Sequence, residues 1–572
     1  MKSIAVSAII GIAQAAVPAD RVTSIPGFAA TNFNTYSGYL DVPGPIKGTD
    51  YDSIRIAYIF NEARSDPSTV SNYNLYFCFI KYKQLDSCFI LYCFIYFVYL
   101  YHYQHEVINT GISLTSVLLF VFLLFVYSSI LLFVFYQKPL TTWHQGGPGG
   151  NSFYGLFGEG GYFQVAQDEN GNTVTYPNNE TSWNLVSNML YLDSPAGSND
   201  PIGFSTCSEN GKVATICKWN DVTQAEAYAQ TLLAFYKAFP EYSKNDLYLT
   251  GESYAGQYLP NIANTILTTP AYNHIPLKGL AVGNGCWGGD ATSVNCNGPN
   301  SGQNDADNYW GKGLISNSQY FKTYEACGYQ FGGKKNASIG STPGSGGIKC
   351  DVMLEEISAT VGPHNVYDIY DNCPGAANWH EKSGKSVHWL KTYLRDHMNT
   401  PQSTVADSRR HLADLAGGYQ WPCGGLDTLS NWLSGDDVRK ALHFGKTNPV
   451  HFDYNTSGPA SITLWPFLAK HLRVLIYNGD ADDCVPYHGN EEWTTSLASK
   501  GLLVEKSAWH PWYLDETQKT IPQGYATTYT VPDSKGMDFS FITIRLAGHM
   551  VPAFRNDAAF AFFSRFLAGE KF

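Results

Sequence analysis

The sequence predicts an α/β fold with a central, mostly parallel β-sheet and an inserted cap region. A β-type run at residues 245–250 is followed at once by a turn of small residues and then by helical spacing over 257–267. Two further β-type runs, 472–477 and 541–545, each lead into a loop that carries an acidic residue or a histidine. Strands that alternate with helices are typical of a parallel sheet covered by helices on its faces.

The chain is long enough for one large domain with insertions. It has 572 residues, which exceeds the length at which a single hydrophobic core stops growing. We expect a discontinuous core made of residues 17–284 and 425–572. The stretch between them, 285–424, is richer in Gly, Asn, Ser and Cys, and we expect it to form the cap.

The charge of the chain weighs against one class of partner. The formal net charge is -12 and the isoelectric point is about 5.7. An acidic surface repels phosphate backbones, so we expect no nucleic-acid partner.

The first 16 residues are typical of an export signal. Lys2 precedes an apolar run over residues 4–12, and Ala13 and Ala15 form a small-x-small cleavage pattern. A secreted protein is therefore expected, with a vacuolar or lysosome-like compartment as the alternative. Three sequons fit export and predict glycosylation at Asn179, Asn336 and Asn455.

The chain contains twelve cysteines, and disulfides are the default in an exported protein. The pairs that would close short loops are Cys207–Cys217, Cys286–Cys296 and Cys327–Cys350, although connectivity is not readable from sequence. Nine cysteines lie outside the segment 73–136, so at least one of them is expected to be unpaired. No C-x-x-C pair occurs, and we expect neither a metal nor an organic cofactor.

Residues 73–136 differ abruptly from their surroundings. Strand-like residues 53–60 precede them, strand-like residues 139–143 follow them, and between lie Phe-, Tyr- and Leu-rich runs. The run 117–135 has no charge and is long enough to cross a bilayer. Three interpretations are open: a transmembrane helix, a buried helical hairpin, or an insertion foreign to the fold, such as translated intron sequence. We favour the last, because deletion would join the two strand-like pieces through a short turn.

The run Gly251-Glu-Ser253-Tyr-Ala255-Gly256 predicts a nucleophile. A strand, a sharp turn of small residues and a helix expose the Oγ of a central serine, here Ser253. The N–H of Tyr254 then opens the helix and points at a developing oxyanion.

A serine nucleophile needs a base and a group that orients the base. The loop after residues 472–477 contains Asp480 and Asp482, and the loop after 541–545 contains His549. The order Ser, acid, His is that of α/β hydrolases. We therefore predict an α/β-hydrolase fold.

Several motifs together resemble those of the serine carboxypeptidase family. They run from about residue 143 to 552 and include the Gly251–Gly256 run. The others are Trp143-His-Gln145-Gly-Gly147-Pro-Gly149, Ser182-Trp-Asn184, Asp193-Ser-Pro-Ala-Gly197 with Ile202-Gly-Phe-Ser205, Gly479-Asp-Ala-Asp482 and Gly548-His-Met-Val-Pro552.

The resemblance implies a serine carboxypeptidase that releases C-terminal L-amino acids from peptides through an acyl-enzyme. Ser253 would be the nucleophile, His549 the general base and then acid, and Asp482 the residue that orients His549, with Asp480 as the alternative. Gly147 and Tyr254 would supply the oxyanion hole.

The same resemblance implies a set of side chains that bind the substrate carboxylate, namely Trp143, Gln145, Glu159 and Glu252. Two ionised carboxylates would repel that group, so they must hold a proton to bind it. This predicts best peptidase activity at acidic pH.

Departures from the family pattern indicate a divergent, fungal-type secreted member. Gln145 stands where Asn is usual, Gly150-Asn151-Ser152 replaces a common Cys-Ser-Ser, and residues 198–201 lengthen a loop. Two alternatives stay open. The triad could serve an acyltransferase or esterase, or the protein could be an inactive or membrane-anchored homologue because of residues 73–136. A membrane partner is expected only if the run 117–135 is a real span.

Overall fold

The computed structural model describes residues 18–64, 138–168, 172–198, 202–330, 347–362, 364–371, 425–446 and 450–572. The predicted signal segment, the apolar runs within 73–136 and Asn336 lie outside these ranges. No helix in the described ranges is long and apolar enough to cross a membrane, and the run 117–135 is not among them.

The strands are labelled β1 to β19 in chain order. They are Arg21–Val22, Thr35–Pro43, Ser53–Asn61, Leu140–His144, Phe163–Gln167, Thr173–Pro177, Asn188–Leu192, Thr206–Glu209, Lys212–Val213, Ile216–Asn220, Leu247–Glu252, Leu277–Gly283, Gly288–Gly289, Val294–Asn295, His451–Asn455, Arg473–Gly479, Val504–Tyr513, Pro522–Thr530 and Asp538–Ile544.

The helices are labelled α1 to α12. They are Phe153–Phe157, Asp221–Ala238, Ala255–Thr268, Ser301–Gly311, Asn317–Cys327, Ile348–Val361, Gly425–Ser434, Asp436–Ala441, Ser461–Leu468, Tyr487–Ser499, Val551–Phe554 and Asn556–Ala568.

One large sheet organises the described chain. Its strand order is β1-β2-β3-β7-β4-β11-β12-β16-β19-β18-β17, with β8 and β9 attached beside β3. The six central strands from β7 to β19 run parallel, and antiparallel strands flank them on both sides. The predicted fold class is confirmed. Strands are present at the predicted positions 53–60, 139–143, 245–250, 472–477 and 541–545, and each end lies within three residues of the predicted end.

Helices cover both faces of the sheet because alternate strand residues point to opposite sides. On β11, Leu247 and Leu249 belong to the core that contains α2 and α3. Tyr248, between them, belongs to the other core and packs edge-on against Phe566 of α12, with ring centroids 5.4 Å apart. The central strands are therefore buried on both faces. Because they run parallel, their carboxyl-terminal ends lie at one edge of the sheet.

The residues on either side of 64–138, Ala63 and Pro139, both bond to Asn188 of β7. The Ala63 N–H donates to Asn188 Oδ1 at 2.9 Å, and the Asn188 N–H donates to the Pro139 carbonyl at 2.8 Å. Strands β3 and β4 are not neighbours, however, because β7 lies between them. A short connection would thus cross over β7 and would not form a hairpin. That 73–136 is an insertion foreign to the fold stays a prediction.

The stretch between β12 and β16 contains α4, α5 and α6, which share a small core of their own. Its members include Ala306, Ile315, Tyr320 and Ile357. Residues 372–424 lie outside the described ranges, so the cap over 285–424 stays a prediction.

The three disulfides expected from short loops are all present. They are Cys207–Cys217, Cys286–Cys296 and Cys327–Cys350. Cys484 is free, and burial raises the pKa of its thiol to about 12, so it stays protonated. Cys373 and Cys423 lie outside the described residues.

Candidate active site

Ser253 lies on a sharp turn between β11 and α3. Its φ is +61°, a left-handed conformation that is uncommon for residues other than glycine. The turn is held from both sides, since the Ser253 N–H donates to the Gly283 carbonyl and the Ser253 carbonyl accepts from the Cys286 N–H. Ser253 is partly exposed, whereas Glu252 and Tyr254 are buried. Ser253 is therefore the accessible residue of this turn.

Two small residues make the turn possible. A Cβ on Gly251 would lie 2.3 Å from the His144 carbonyl oxygen, and one on Gly256 would lie 2.6 Å from the backbone of Cys286. Neither contact leaves room for a side chain. The small residues in the motif are thus required by the close approach of neighbouring backbone.

His549 and Asp482 meet at the carboxyl ends of β19 and β16. His549 Nδ1 lies 2.8 Å from Asp482 Oδ2, and both side chains are almost completely buried. A carboxylate only accepts, so Nδ1 carries the proton and Nε2 is available as a base. Within the described residues, His549 Nε2 has no hydrogen-bond partner. No hydrogen bond joins it to Ser253 Oγ, although such bonds are often long in sites without substrate.

The Asp482 carboxylate is held by further donors that sequence reasoning missed. Its Oδ2 accepts from Asn284 Nδ2 at 2.8 Å and from the Val485 N–H, and its Oδ1 accepts from the Cys484 N–H. Asn284 directly follows β12, the strand whose Gly283 carbonyl holds the Ser253 turn. One strand end therefore contacts both the serine turn and the acidic loop. No motif in the sequence marked Asn284.

The two acids of the Gly-Asp-Ala-Asp loop have different contacts. Asp480 Oδ1 accepts from the Leu546 N–H at 2.7 Å, which ties the acidic loop to the end of β19. The hydrogen bond to His549 is made by Asp482.

Residues 364–371 run across both loops and were not predicted as part of the site. The Tyr367 carbonyl accepts from the His549 N–H at 2.7 Å, and the Ala481 carbonyl accepts from the Ile369 N–H at 3.0 Å. The Tyr367 ring also packs on the His549 ring, with centroids 5.0 Å apart. This segment lies in a part of the sequence without recognisable motifs, so only the fold reveals it.

The glycine-rich loop after β4 lies against the serine turn. A Cβ on Gly146 would come within 2.5 Å of Ser253 Cβ and 2.6 Å of the Tyr254 nitrogen. The Gly150 N–H donates to the Gly146 carbonyl at 2.9 Å, which fixes the peptide plane that carries the Gly147 N–H. Within the described chain, neither the Gly147 nor the Tyr254 N–H has a protein acceptor. Two backbone donors are thus free close to Ser253.

The residues that replace the usual Cys-Ser-Ser anchor this loop by hydrogen bonds. Asn151 Nδ2 donates to the Ile202 carbonyl at 2.9 Å, and Asn151 Oδ1 accepts from the Phe153 N–H. Ser152 Oγ accepts from the Gln145 N–H at 3.3 Å.

The four residues expected to bind a carboxylate lie together beside Ser253. Trp143 Nε1 donates to Gln145 Oε1 at 2.9 Å, and Gln145 Nε2 donates to Glu252 Oε1 at 2.7 Å. The Glu159 carboxyl group lies against the Glu252 carboxyl group and the Gln145 side-chain amide. Trp143, Glu159 and Glu252 are buried, and Gln145 is partly exposed.

Burial changes the protonation of the two acids. It raises the pKa of Glu159 to about 8, and burial together with the neighbouring Glu159 charge raises the pKa of Glu252 well above its usual range. One oxygen of each group, Oε2, is buried without a hydrogen-bond partner among the described residues. The pair therefore retains protons at neutral pH and has unused hydrogen-bonding capacity.

Two of the three predicted glycosylation sites lie within the described chain. Asn179 and Asn455 are both exposed, as attachment of a glycan requires. Asn336 is outside the described residues.

The fold and this arrangement define an α/β hydrolase with a serine, histidine and aspartate at the ends of its central strands. The serine carboxypeptidase family model matches residues 121–569, more than three quarters of the chain. The chain belongs to the serine carboxypeptidase family, and it is a hydrolase that acts as a serine carboxypeptidase on peptides.

Individual relatives agree with this assignment. Serine carboxypeptidase-like 21 of Arabidopsis thaliana is 30% identical over 471 residues, which cover 76% of this chain and 85% of the relative. Lysosomal protective protein of Mus musculus is 32% identical over 455 residues, with the same coverage. Among solved structures, Kex1(Δ)p, a prohormone-processing carboxypeptidase from Saccharomyces cerevisiae, has a TM-score of 0.52 at 17% identity. That match covers 94% of this chain and 92% of the other, and it shows a shared fold.

Proposed function

We propose that Ser253, His549 and Asp482 carry out peptide hydrolysis through an acyl-enzyme. Ser253 Oγ attacks the carbonyl carbon of the last peptide bond while its proton passes to His549 Nε2. His549 then gives that proton to the departing amino nitrogen as the C–N bond breaks. Water hydrolyses the ester in a second, equivalent step. The buried His549–Asp482 hydrogen bond supports these roles, because it fixes the tautomer in which Nε2 is a base.

The oxyanion of each tetrahedral intermediate would be bound by the N–H groups of Gly147 and Tyr254. Both belong to backbone held close to Ser253, and neither has another acceptor in the described chain. Loss of one such donor typically costs roughly 3 kcal/mol of transition-state stabilisation.

The cluster of Trp143, Gln145, Glu252 and Glu159 is the observation that carries the preference for a free C-terminus. A substrate carboxylate placed against two ionised acids would be repelled, whereas protonated acids donate hydrogen bonds to it. The raised pKa of Glu159 and Glu252 supports the second arrangement. Peptidase activity would therefore be best at acidic pH and would fall as these groups ionise.

Export fits the same function. Secretion or delivery to a vacuolar compartment is supported by three observations. They are the three disulfides, the exposed sequons at Asn179 and Asn455, and the apolar N-terminal segment of the sequence. The name of the mouse relative, lysosomal protective protein, supports an acidic compartment as the alternative.

Two measurements test the proposal. A fluorophosphonate should label the wild-type enzyme at Ser253 and leave Ser253→Ala unlabelled, because only an activated serine reacts. The wild-type enzyme, without the label, should release the C-terminal amino acid from an N-blocked dipeptide. Labelling without release would favour an acyltransferase or esterase, and absence of labelling in folded protein would favour an inactive homologue. Either result would contradict the proposed activity.

A further inference from the structure

His144 is a buried titratable residue that the proposed mechanism does not use. It is the last residue of β4 and directly precedes Gln145 and the glycine-rich loop. Its side chain has no solvent exposure. A histidine here introduces two nitrogens that both need partners, so its contacts are informative.

Both ring nitrogens of His144 have partners, and these partners assign the tautomer. Nδ1 lies 2.8 Å from the Gln145 carbonyl oxygen, which can only accept, so Nδ1 carries the proton. Nε2 lies 3.0 Å from the Gln224 side-chain nitrogen of α2 and accepts from it. Burial lowers the pKa of His144 to about 4, so the ring stays neutral above that pH.

Aromatic rings hold the imidazole in place from two helices. Tyr228 of α2 stacks on it with centroids 5.3 Å apart, and Tyr258 of α3 lies at 4.4 Å. The groups that face His144 from these helices are thus two tyrosines and the Gln224 amide. The amide carries no charge, and burial raises the pKa of both tyrosines, so they stay protonated at neutral pH. The two tyrosine rings therefore hold the imidazole in the orientation in which Nδ1–H points at the Gln145 carbonyl.

The partner of that N–H is part of the candidate active site. The Gln145 carbonyl and the Gly146 nitrogen share one peptide plane, and the next plane carries the Gly147 N–H. The Gly150 N–H already anchors the second plane through the Gly146 carbonyl. His144 Nδ1–H anchors the first. Two consecutive peptide planes of the loop are thus each held by one donor.

We infer that His144 is a positioning residue that sets the backbone of Gln145 and, through it, the direction of the Gly147 N–H. The inference rests on the proposed oxyanion role of Gly147. His144 would act on the rate of acylation and would not itself touch the substrate.

Two amide substitutions separate this role from simple core packing. In His144→Asn the side-chain NH2 occupies about the position of Nδ1 and can still donate to the Gln145 carbonyl. In His144→Gln the amide reaches about the position of Nε2 and can contact Gln224 instead. Both variants lose the ring and its stacking, so a packing role predicts similar losses in both.

The measurement is the rate of fluorophosphonate labelling and kcat for an N-blocked dipeptide, with the melting temperature of each variant. Positioning predicts that His144→Asn stays within about tenfold of wild type, while His144→Gln loses at least a further tenfold in both rates, toward the 10²–10³-fold seen when an oxyanion donor is lost. Equal rates in folded variants, or a faster His144→Gln enzyme, would overturn the inference.

Gln224→Met provides an independent check if either variant fails to fold. It removes the partner of Nε2 and leaves the Nδ1–H donor, so the labelling rate should stay within about threefold of wild type even if the melting temperature falls. A tenfold slower rate in folded Gln224→Met would contradict the inference. If the wild-type enzyme is not labelled, the proposed function is wrong. That result differs from a failure of the His144 inference, in which the wild-type enzyme is labelled and the two His144 variants are labelled at equal rates.

Discussion

His549 Nδ1 lies 2.8 Å from Asp482 Oδ2, and the two side chains are 3% and 0% exposed. Asp482 receives three further N–H donors, from Asn284, Cys484 and Val485. Both Asp482 oxygens therefore act as acceptors in this arrangement. The site thus holds His549 in one tautomer with Nε2 free.

Asp482→Asn should therefore inactivate the enzyme without unfolding it. An amide in this place presents an N–H toward groups that also donate, which favours the wrong tautomer of His549. We expect kcat to fall roughly 10⁴-fold, as for the equivalent change in other serine triads. Asp480→Asn is the matched control, because Asp480 accepts from the Leu546 N–H and does not bond His549. This variant should retain more than a tenth of the wild-type activity. Similar losses in the two variants would contradict the assignment of Asp482 as the orienting acid, and a larger loss in Asp480→Asn would transfer that role to Asp480.

Asn284→Gly should slow the reaction by a smaller factor. Asn284 has a φ of +40°, which glycine adopts without strain, so this change removes the amide and keeps the backbone. A hydrogen bond to a charged acceptor contributes about 1.5–3 kcal/mol, and we expect kcat to fall at least about tenfold. Asn284→Asp, which places a second carboxylate beside Asp482, should be slower still. Unchanged kcat in both would show that Asn284 does not support Asp482.

The sequence alone predicted the strand-turn-helix around Ser253, the order of the three residues and the disulfides. These depend on local patterns and short loops, which a sequence displays directly. Asn284, Tyr367 and the contacts of His144 were not predicted, because each meets its partner across long sequence separations. The placement of β7 between β3 and β4 was missed for the same reason, since nothing local specifies which strand lies between two others.

Glu159→Gln should stabilise the protein increasingly as pH rises. Burial raises the folded pKa of Glu159 to about 8, well above its ordinary value. The folded state thus binds a proton that the unfolded state loses from about pH 4 upward, so this group's contribution to stability is present at low pH and is lost toward pH 8. Gln mimics the protonated acid. The melting temperature of the variant relative to wild type should rise from pH 5 to pH 8, and a constant difference would argue that Glu159 is already ionised when folded.

Replacement of residues 65–137 by a short Gly/Ser linker should leave the hydrolase folded. Ala63 and Pro139 both bond Asn188, so the chain ends that the linker must join lie near each other, and a linker of several residues can pass over β7. The shortened protein should melt within a few degrees of the full chain and label at Ser253 at a similar rate. Loss of cooperative melting would show that the segment is part of the fold.

In the proposed function, the protonated acids Glu159 and Glu252 beside Ser253 recognise a free C-terminal carboxylate. The most direct measurement compares kcat/KM for an N-blocked dipeptide with that for its C-terminal amide from pH 4 to 9. We expect a strong preference for the free acid at pH 5 that declines as Glu159 and Glu252 ionise, and a ratio that changes less with pH in Glu252→Gln. A ratio that is independent of pH in the wild-type enzyme would contradict it.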